Sequence, residues 1–139
     1  MIGIPEVFPI KEIKEHENSV DAIAASPTSE TRFASASHDT TIKFWDAPSY
    51  KCVQTLKGHE KGVWSLNYDT KGDRLISSSP DSLAKIWDAK TGKCIETLKG
   101  HQHFCYKAVF SQDGENVASV GADKVLNYWD LRNTKSPIF

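Results

Sequence analysis

The sequence predicts an all-β chain of three tandem antiparallel sheets, each with four short strands and each made by one repeat of about 42 residues. Three observations lead there. The dipeptide Trp-Asp falls at Trp45-Asp46, Trp87-Asp88 and Trp129-Asp130, so both intervals are 42 residues. Short apolar or alternating runs recur between turn residues inside each period. No stretch sustains the 3.6-residue periodicity of an amphipathic helix.

The elements follow in order. Residues 20–23, 63–66 and 105–110 read as a first strand of each repeat. Residues 33–37, 75–79 and 117–121 read as a second, rich in small side chains that allow close packing. Residues 41–45, 84–87 and 125–129 give a third, in which Ile42 and Phe44 alternate with Thr41, Lys43 and Trp45. Residues 52–56 and 94–98 give a fourth, and Pro137-Ile138-Phe139 begins another. Ser26-Pro27, Lys71-Gly72-Asp73, Thr91-Gly92 and Asp113-Gly114 supply turns between them. At the other end, residues 8–14 lie where a fourth strand lies one period later, and so read as the outer strand of a preceding sheet. The organisation expected is thus residues 8–14, then repeats 16–57, 59–99 and 101–139, the last with an incomplete fourth strand.

Composition bounds the function classes. The chain has 139 residues with 39% hydrophobic and 25% charged residues, a globular rather than disordered balance. Net charge is −1, with 17 Lys and Arg against 18 Asp and Glu, so no basic footprint for nucleic acid or anionic membrane is present. No apolar run approaches the ~20 residues that span a bilayer, and no signal-peptide pattern opens the chain. Cys52, Cys94 and Cys105 are an odd set without CxxC spacing, which suits reduced thiols and a cytoplasmic or nuclear setting.

A second set of residues keeps the same register. An Asp precedes each Trp by six residues, at Asp39, Asp81 and Asp123, and a Ser precedes each Asp by four, at Ser35, Ser77 and Ser119. A His opens each repeat at His16, His59 and His101, preceded by Gly in the second and third and by Glu15 in the first. Ser, His and Asp together suggest a hydrolase, but a catalytic triad is assembled once, on a strained turn beside an oxyanion hole. Three copies at one spacing, with no Gly-x-Ser-x-Gly element, argue for structure. No Gly-rich phosphate loop is present. His101 and His103 could share a metal, but nothing in the spacing completes a site. No enzyme, metal or cofactor is expected.

Gly-His, Trp-Asp, the period and four strands per repeat together make the chain resemble the WD-repeat β-propeller family, over essentially all of residues 8–139. The resemblance implies that each Trp indole donates to Ser, Ser to His, and that Asp holds the His, a buried structural relay. It implies an incomplete ring of three blades, because propellers close with typically four to eight. Such an arc is either part of a longer chain or half of a six-bladed ring made by two copies; the opening Met1 suggests that missing blades follow Phe139. The family binds proteins or peptides on the rim carrying the His and Asp loops. Matched to this sequence, those positions are Ser19, Gly62 and Phe104; Asp21, Trp64 and Tyr106; and His38, Pro80 and Ala122. The function implied is a non-enzymatic interaction scaffold within a larger complex. Finally, Trp129-Asp130-Leu131-Arg132 resembles the Trp-Asp-x-Arg box of cullin-RING ubiquitin-ligase substrate receptors, where Arg132 alone adds to the ordinary repeat pattern.

Overall fold

A computed structural model describes residues 3–133. Eleven strands run in chain order: β1 (Val20–Ala25), β2 (Arg32–Ser37), β3 (Ile42–Asp46), β4 (Lys51–Leu56), β5 (Ser65–Tyr68), β6 (Arg74–Ser78), β7 (Leu83–Asp88), β8 (Cys94–Lys99), β9 (Cys105–Phe110), β10 (Asn116–Gly121) and β11 (Leu126–Asp130). They form three antiparallel meanders: β1–β4 is sheet 1, β5–β8 is sheet 2 and β9–β11 is sheet 3. No helix occurs among the described residues, and the three sheets form an open arc.

The pleat sorts each sheet into two packing faces. Ala34, Ala36, Ile42, Phe44 and Leu56 of sheet 1 meet Leu66, Leu75 and Trp87 of sheet 2. The opposite face of sheet 2, with Ile76, Ala84, Ile86 and Leu98, meets Cys105, Ala108, Val117 and Trp129 of sheet 3. Sheet 2 is therefore covered on both sides, and Leu75 and Ile76 are both fully buried although neighbours in sequence. The inner strands bring the sheets together, with β5 against β1 and β9 against β5. A backbone bond stitches each junction: Val63 N–H donates to Ser37 O at 2.9 Å, and Cys105 N–H to Ser79 O at 3.1 Å.

Trp45 and Phe44 are both buried because they lie on opposite faces of the strand, and a bulge stands opposite the Trp. Phe44 opposes Gln54 but Trp45 opposes Cys52, so Val53 is skipped. The same happens at Trp87 and Cys94, where Ile95 is skipped. The extra residue of each bulge, Val53 or Ile95, is left exposed.

Three sequence expectations need correction or restriction. The first strand of repeat 2 begins at Ser65 rather than Val63. In repeats 1 and 3 the strand entrance is held by His38 N–H to Ser19 O and Ala122 N–H to Phe104 O. Pro80 occupies that position in repeat 2 and has no N–H to give. Residues 8–14, expected as the outer strand of a preceding sheet, pair with no strand among the described residues, and Ile10 is 91% exposed. A strand needs a ladder partner, and the sheet this one would edge is not supplied by the same arc. The expected strand at Pro137-Ile138-Phe139 lies outside the described residues.

Candidate functional site: relay loops and an aromatic rim

The site begins with three superimposable hydrogen-bond chains. In repeat 1, Trp45 Nε1 donates to Ser35 Oγ at 2.7 Å, Ser35 Oγ lies 2.7 Å from His16 Nε2, and His16 Nδ1 lies 2.9 Å from Asp39 Oδ2. In repeat 2 the distances are 2.8, 2.7 and 2.8 Å through Trp87, Ser77, His59 and Asp81. In repeat 3 each is 2.9 Å through Trp129, Ser119, His101 and Asp123. Because each Ser accepts from an indole, its one proton goes to Nε2, which leaves the Nδ1–H to donate to Asp. Every polar atom in this buried chain has a partner, so leaving one out would cost more than the bond itself contributes.

Each relay Asp also ties two loops together. Asp39 Oδ2 accepts from Glu17 N–H and its Oδ1 from the Thr41 N–H and hydroxyl. Asp81 accepts from Glu60 N–H and Leu83 N–H, and Asp123 from Gln102 N–H and Val125 N–H. Burial pushes all three carboxyls up, but these hydrogen bonds and the His outweigh it and hold them below the usual range. The Asp therefore fixes the tight turn between second and third strands, even though Thr40, Ser82 and Lys124 adopt positive φ there.

On the rim so fixed, the loops entering sheets 2 and 3 bring Trp64 and Phe104 together, and Tyr106 at the start of β9 stacks beside Trp64. The Trp64 and Phe104 centroids are 5.6 Å apart at 85°, and those of Trp64 and Tyr106 are 5.6 Å apart at 23°. Trp64 and Phe104 are partly buried while Tyr106 is 49% exposed. His103 packs edge-on to Phe104 at 4.4 Å, and Lys61 Nζ lies 6.0 Å from the Phe104 centroid. His103 and Lys61 were not singled out for this role from the sequence, though each adjoins a chosen rim position. His103 Nδ1 accepts the Phe104 N–H, and His101 is engaged in its relay.

The remaining expected rim residues do not join this cluster. Ser19, Asp21 and His38 are exposed on the repeat 1 side. Gly62 is buried against His38, whose Nδ1 would lie 2.8 Å from an added Cβ, so this position cannot carry a contacting side chain without displacing His38. Pro80 and Ala122 are partly buried. Arg132 is exposed and grips Asp130 through Nε and Nη2, both at 2.8 Å, so its charge is already paired within the Trp-Asp turn.

Comparison with known proteins agrees with this geometry. The family model for "WD domain, G-beta repeat" matches residues 8–46, 50–88 and 92–130. Bos taurus pre-mRNA-processing factor 19 is 38% identical over 63 residues, 45% of this chain and 12% of that protein. Homo sapiens coatomer subunit beta' is 44% identical over 59 residues, 42% of this chain and 6% of that protein. The chain thus matches a small fraction of either relative's length, and what it shares with them is the repeat. With three matched repeats and a Trp–Ser–His–Asp relay in each, the chain belongs to the WD domain, G-beta repeat family.

Proposed function

We propose that this chain is a non-enzymatic protein-interaction platform, whose rim around Trp64, Phe104 and Tyr106 receives a peptide or a domain of a partner within a larger complex. The observation that carries it is the aromatic cluster held across two sheets with Tyr106 half exposed. Trp and Tyr are frequent anchors of binding energy, because a rigid ring contributes large contact area at little entropic cost. The relays support the same reading: each Ser hydroxyl is buried between an indole and an imidazole, which spends it on structure. Three free cysteines suit a reducing cytoplasmic or nuclear setting.

The test is peptide-display selection against the chain, followed by affinity measurement on variants. Tyr106→Ala or Trp64→Ala is expected to weaken selected peptides by at least about tenfold, a typical hot-spot loss, while Ile95→Ala on the outer edge leaves them unchanged. Peptides insensitive to both rim variants would overturn the reading.

A further inference from the structure

We propose that Ser26 is a phosphorylation site, and that a phosphate there completes, between sheets 1 and 2, an arginine clamp that the next junction has built in. The same turn joins first and second strands in both repeats. Asp69 N–H donates to Arg74 O at 3.0 Å, and Ser26 N–H donates to Arg32 O at the same distance. Ser26 thus stands in the place of Asp69, and Arg32 in that of Arg74. Asp69 Oδ2 accepts Arg74 Nε at 2.9 Å, while its Oδ1 accepts the backbone N–H groups of Asp73 and Arg74 at 2.9 and 3.2 Å. So held, Arg74 reaches across the junction to Gly114 O at 2.6 Å. Ser26 has no charge to offer Arg32, whose side chain is 49% exposed with Nε 4.0 Å from Asp46. Asp46 is occupied in its own turn, accepting the Ser49 hydroxyl and N–H at 2.6 and 3.2 Å.

Space and charge at this turn suit a phosphoryl group. Ser26, Arg32 and Lys90 share the walls of a cavity of about 760 Å³ between the two sheets. Tyr68, which also lines it, stands where Phe110 lies beneath Arg74 one repeat later. A Cβ added to Gly72, in the facing turn of sheet 2, would stand 3.5 Å from Ser26 Oγ, so a group on that oxygen lies at the junction itself. Phosphoserine carries about −1.5 to −2 charge at neutral pH and three acceptor oxygens. In the place of the Asp69 carboxylate it would accept from Arg32 in its own sheet and from the Lys90 ammonium in the next, through charge-assisted bonds. Asp73 and Asp88 line the cavity too. Asp88 is spent on its own turn, accepting the backbone N–H groups of Lys90 and Thr91 at 2.8 Å. The clamped junction carries acids at the same two positions, Glu115 and Asp130, so acids there are compatible with a clamp.

The residues around Ser26 are ones a protein kinase can read. Pro27 follows directly, the Ser-Pro pair that proline-directed kinases take, and Pro27 and Thr28 are exposed while Ser26 is partly so. Ser79-Pro80 is not an equivalent target, because Ser79 is fully buried and its Oγ accepts the Asp81 N–H at 3.1 Å. In the transfer, Ser26 Oγ attacks the γ-phosphorus of ATP. The Oγ–P bond forms as the bond to the leaving ADP breaks, and the hydroxyl proton passes to the base of the kinase.

The test incubates the full folded chain with magnesium ATP and a panel of proline-directed kinases, and locates the phosphate by fragment mass. Incorporation at Ser26 is expected. In urea titration the phosphorylated chain should have an unfolding equilibrium constant at least about tenfold below that of the unmodified chain, as hydrogen bonds to charged groups provide. The gain should be absent from kinase-treated Ser26→Ala, should be largely lost when Arg32→Ala is phosphorylated in the same way, and should shrink in 1 M salt. Ser26→Asp supplies the carboxylate of Asp69 without a kinase and should lower the constant by about threefold, the scale of a partly exposed pair, again only with Arg32 present. A folded chain left unmodified at Ser26 overturns the proposal. So does a phosphate that leaves stability unchanged or lowers it, or whose effect survives Arg32→Ala. None of these readouts involves peptide binding, so this result and that for the rim stand or fall separately.

Discussion

The junction between sheets 1 and 2 and the junction between sheets 2 and 3 are built from the same repeat, yet only the second is clamped by an arginine at the end away from the relays. Both carry the same backbone stitch beside the relay turns. At the second junction, Arg74 donates to Asp69 Oδ2 at 2.9 Å and to Gly114 O at 2.6 Å, and stands 4.9 Å over the Phe110 ring. Asn67 Oδ1 adds a bond from Phe110 N–H at 3.1 Å, and the Thr70 hydroxyl one to Gln112 O at 2.9 Å. At the first junction, Arg32 occupies the position of Arg74 but is half exposed and no nearer than 4.0 Å to its acid, Asp46. Ala24 stands where Asn67 stands one repeat later. Gln54 Nε2 to Thr91 O, at 2.8 Å, crosses this junction, beside a cavity of about 760 Å³ lined in part by Arg32, Tyr68, Gln54 and Lys90. What the backbone and the relay set is therefore common to the repeats, whereas the long side chains at the far end make each junction individual.

The largest expected effect breaks this difference directly. Arg74→Ala strands Asp69, 3% exposed, and should cost about 2–4 kcal/mol in urea unfolding, because a buried carboxylate loses its cation. Arg32→Ala, which loses only an exposed pair, should cost under about 1 kcal/mol. Equal losses would mean the two junctions are not different in energy.

Acid should act on both junctions alike, since each ends in a relay Asp. These carboxyls titrate lower in the folded than in the unfolded chain, so the folded state binds fewer protons around pH 4. Their contribution is present above the unfolded value of about 3.9 and is lost as pH falls through the folded values. Asp81→Asn should lower stability at pH 7 by about 1–3 kcal/mol, the worth of hydrogen bonds to a charged group, and flatten its decline below pH 5. An unchanged pH profile in unfolding experiments would remove the relay carboxylate from the stability of the fold.

The smallest effect is a local one, read by thiol labelling. Cys105 lies fully buried in the second junction, and burial with the nearby Asp81 and Asp123 pushes its thiol up to about 12. Cys94, exposed on β8, should label readily and Cys105 hardly at all under native conditions. Arg74→Ala should speed labelling of Cys105, whereas Arg32→Ala should not. Equal acceleration by the two would show that the junctions open together.

Much of this architecture is legible in the sequence because it is periodic. The positions of the twelve relay residues, the meander and its turns follow from spacing, since each depends on backbone geometry that repeats about every 42 residues, while their joining into a relay is what the resemblance to WD repeats implies. What escaped does not repeat. Pro80 delays β5 through one missing N–H, and residues 8–14 carry a strand pattern with no partner strand in the arc. The Arg74 clamp depends on Asp69 and Gly114, and the first of these has no acidic counterpart in repeats 1 and 3, where Ser26 and Ser111 stand. Trp64, Phe104 and Tyr106 stand at matched repeat positions, but that Lys61 and His103 pack beside Phe104 depends on loop paths that no spacing encodes.

The stitch between sheets also has a direction. Its acceptor, Ser37 O or Ser79 O, always lies in the earlier sheet, and its donor, Val63 or Cys105, in the later one. A ribosome producing the chain from its N-terminus finishes each acceptor turn before the residue that will bind it has been made. Each later sheet is therefore anchored to a turn that stands earlier in the chain. In a linear array coupled only through neighbours, each stitch then acts between one sheet and the next and no further.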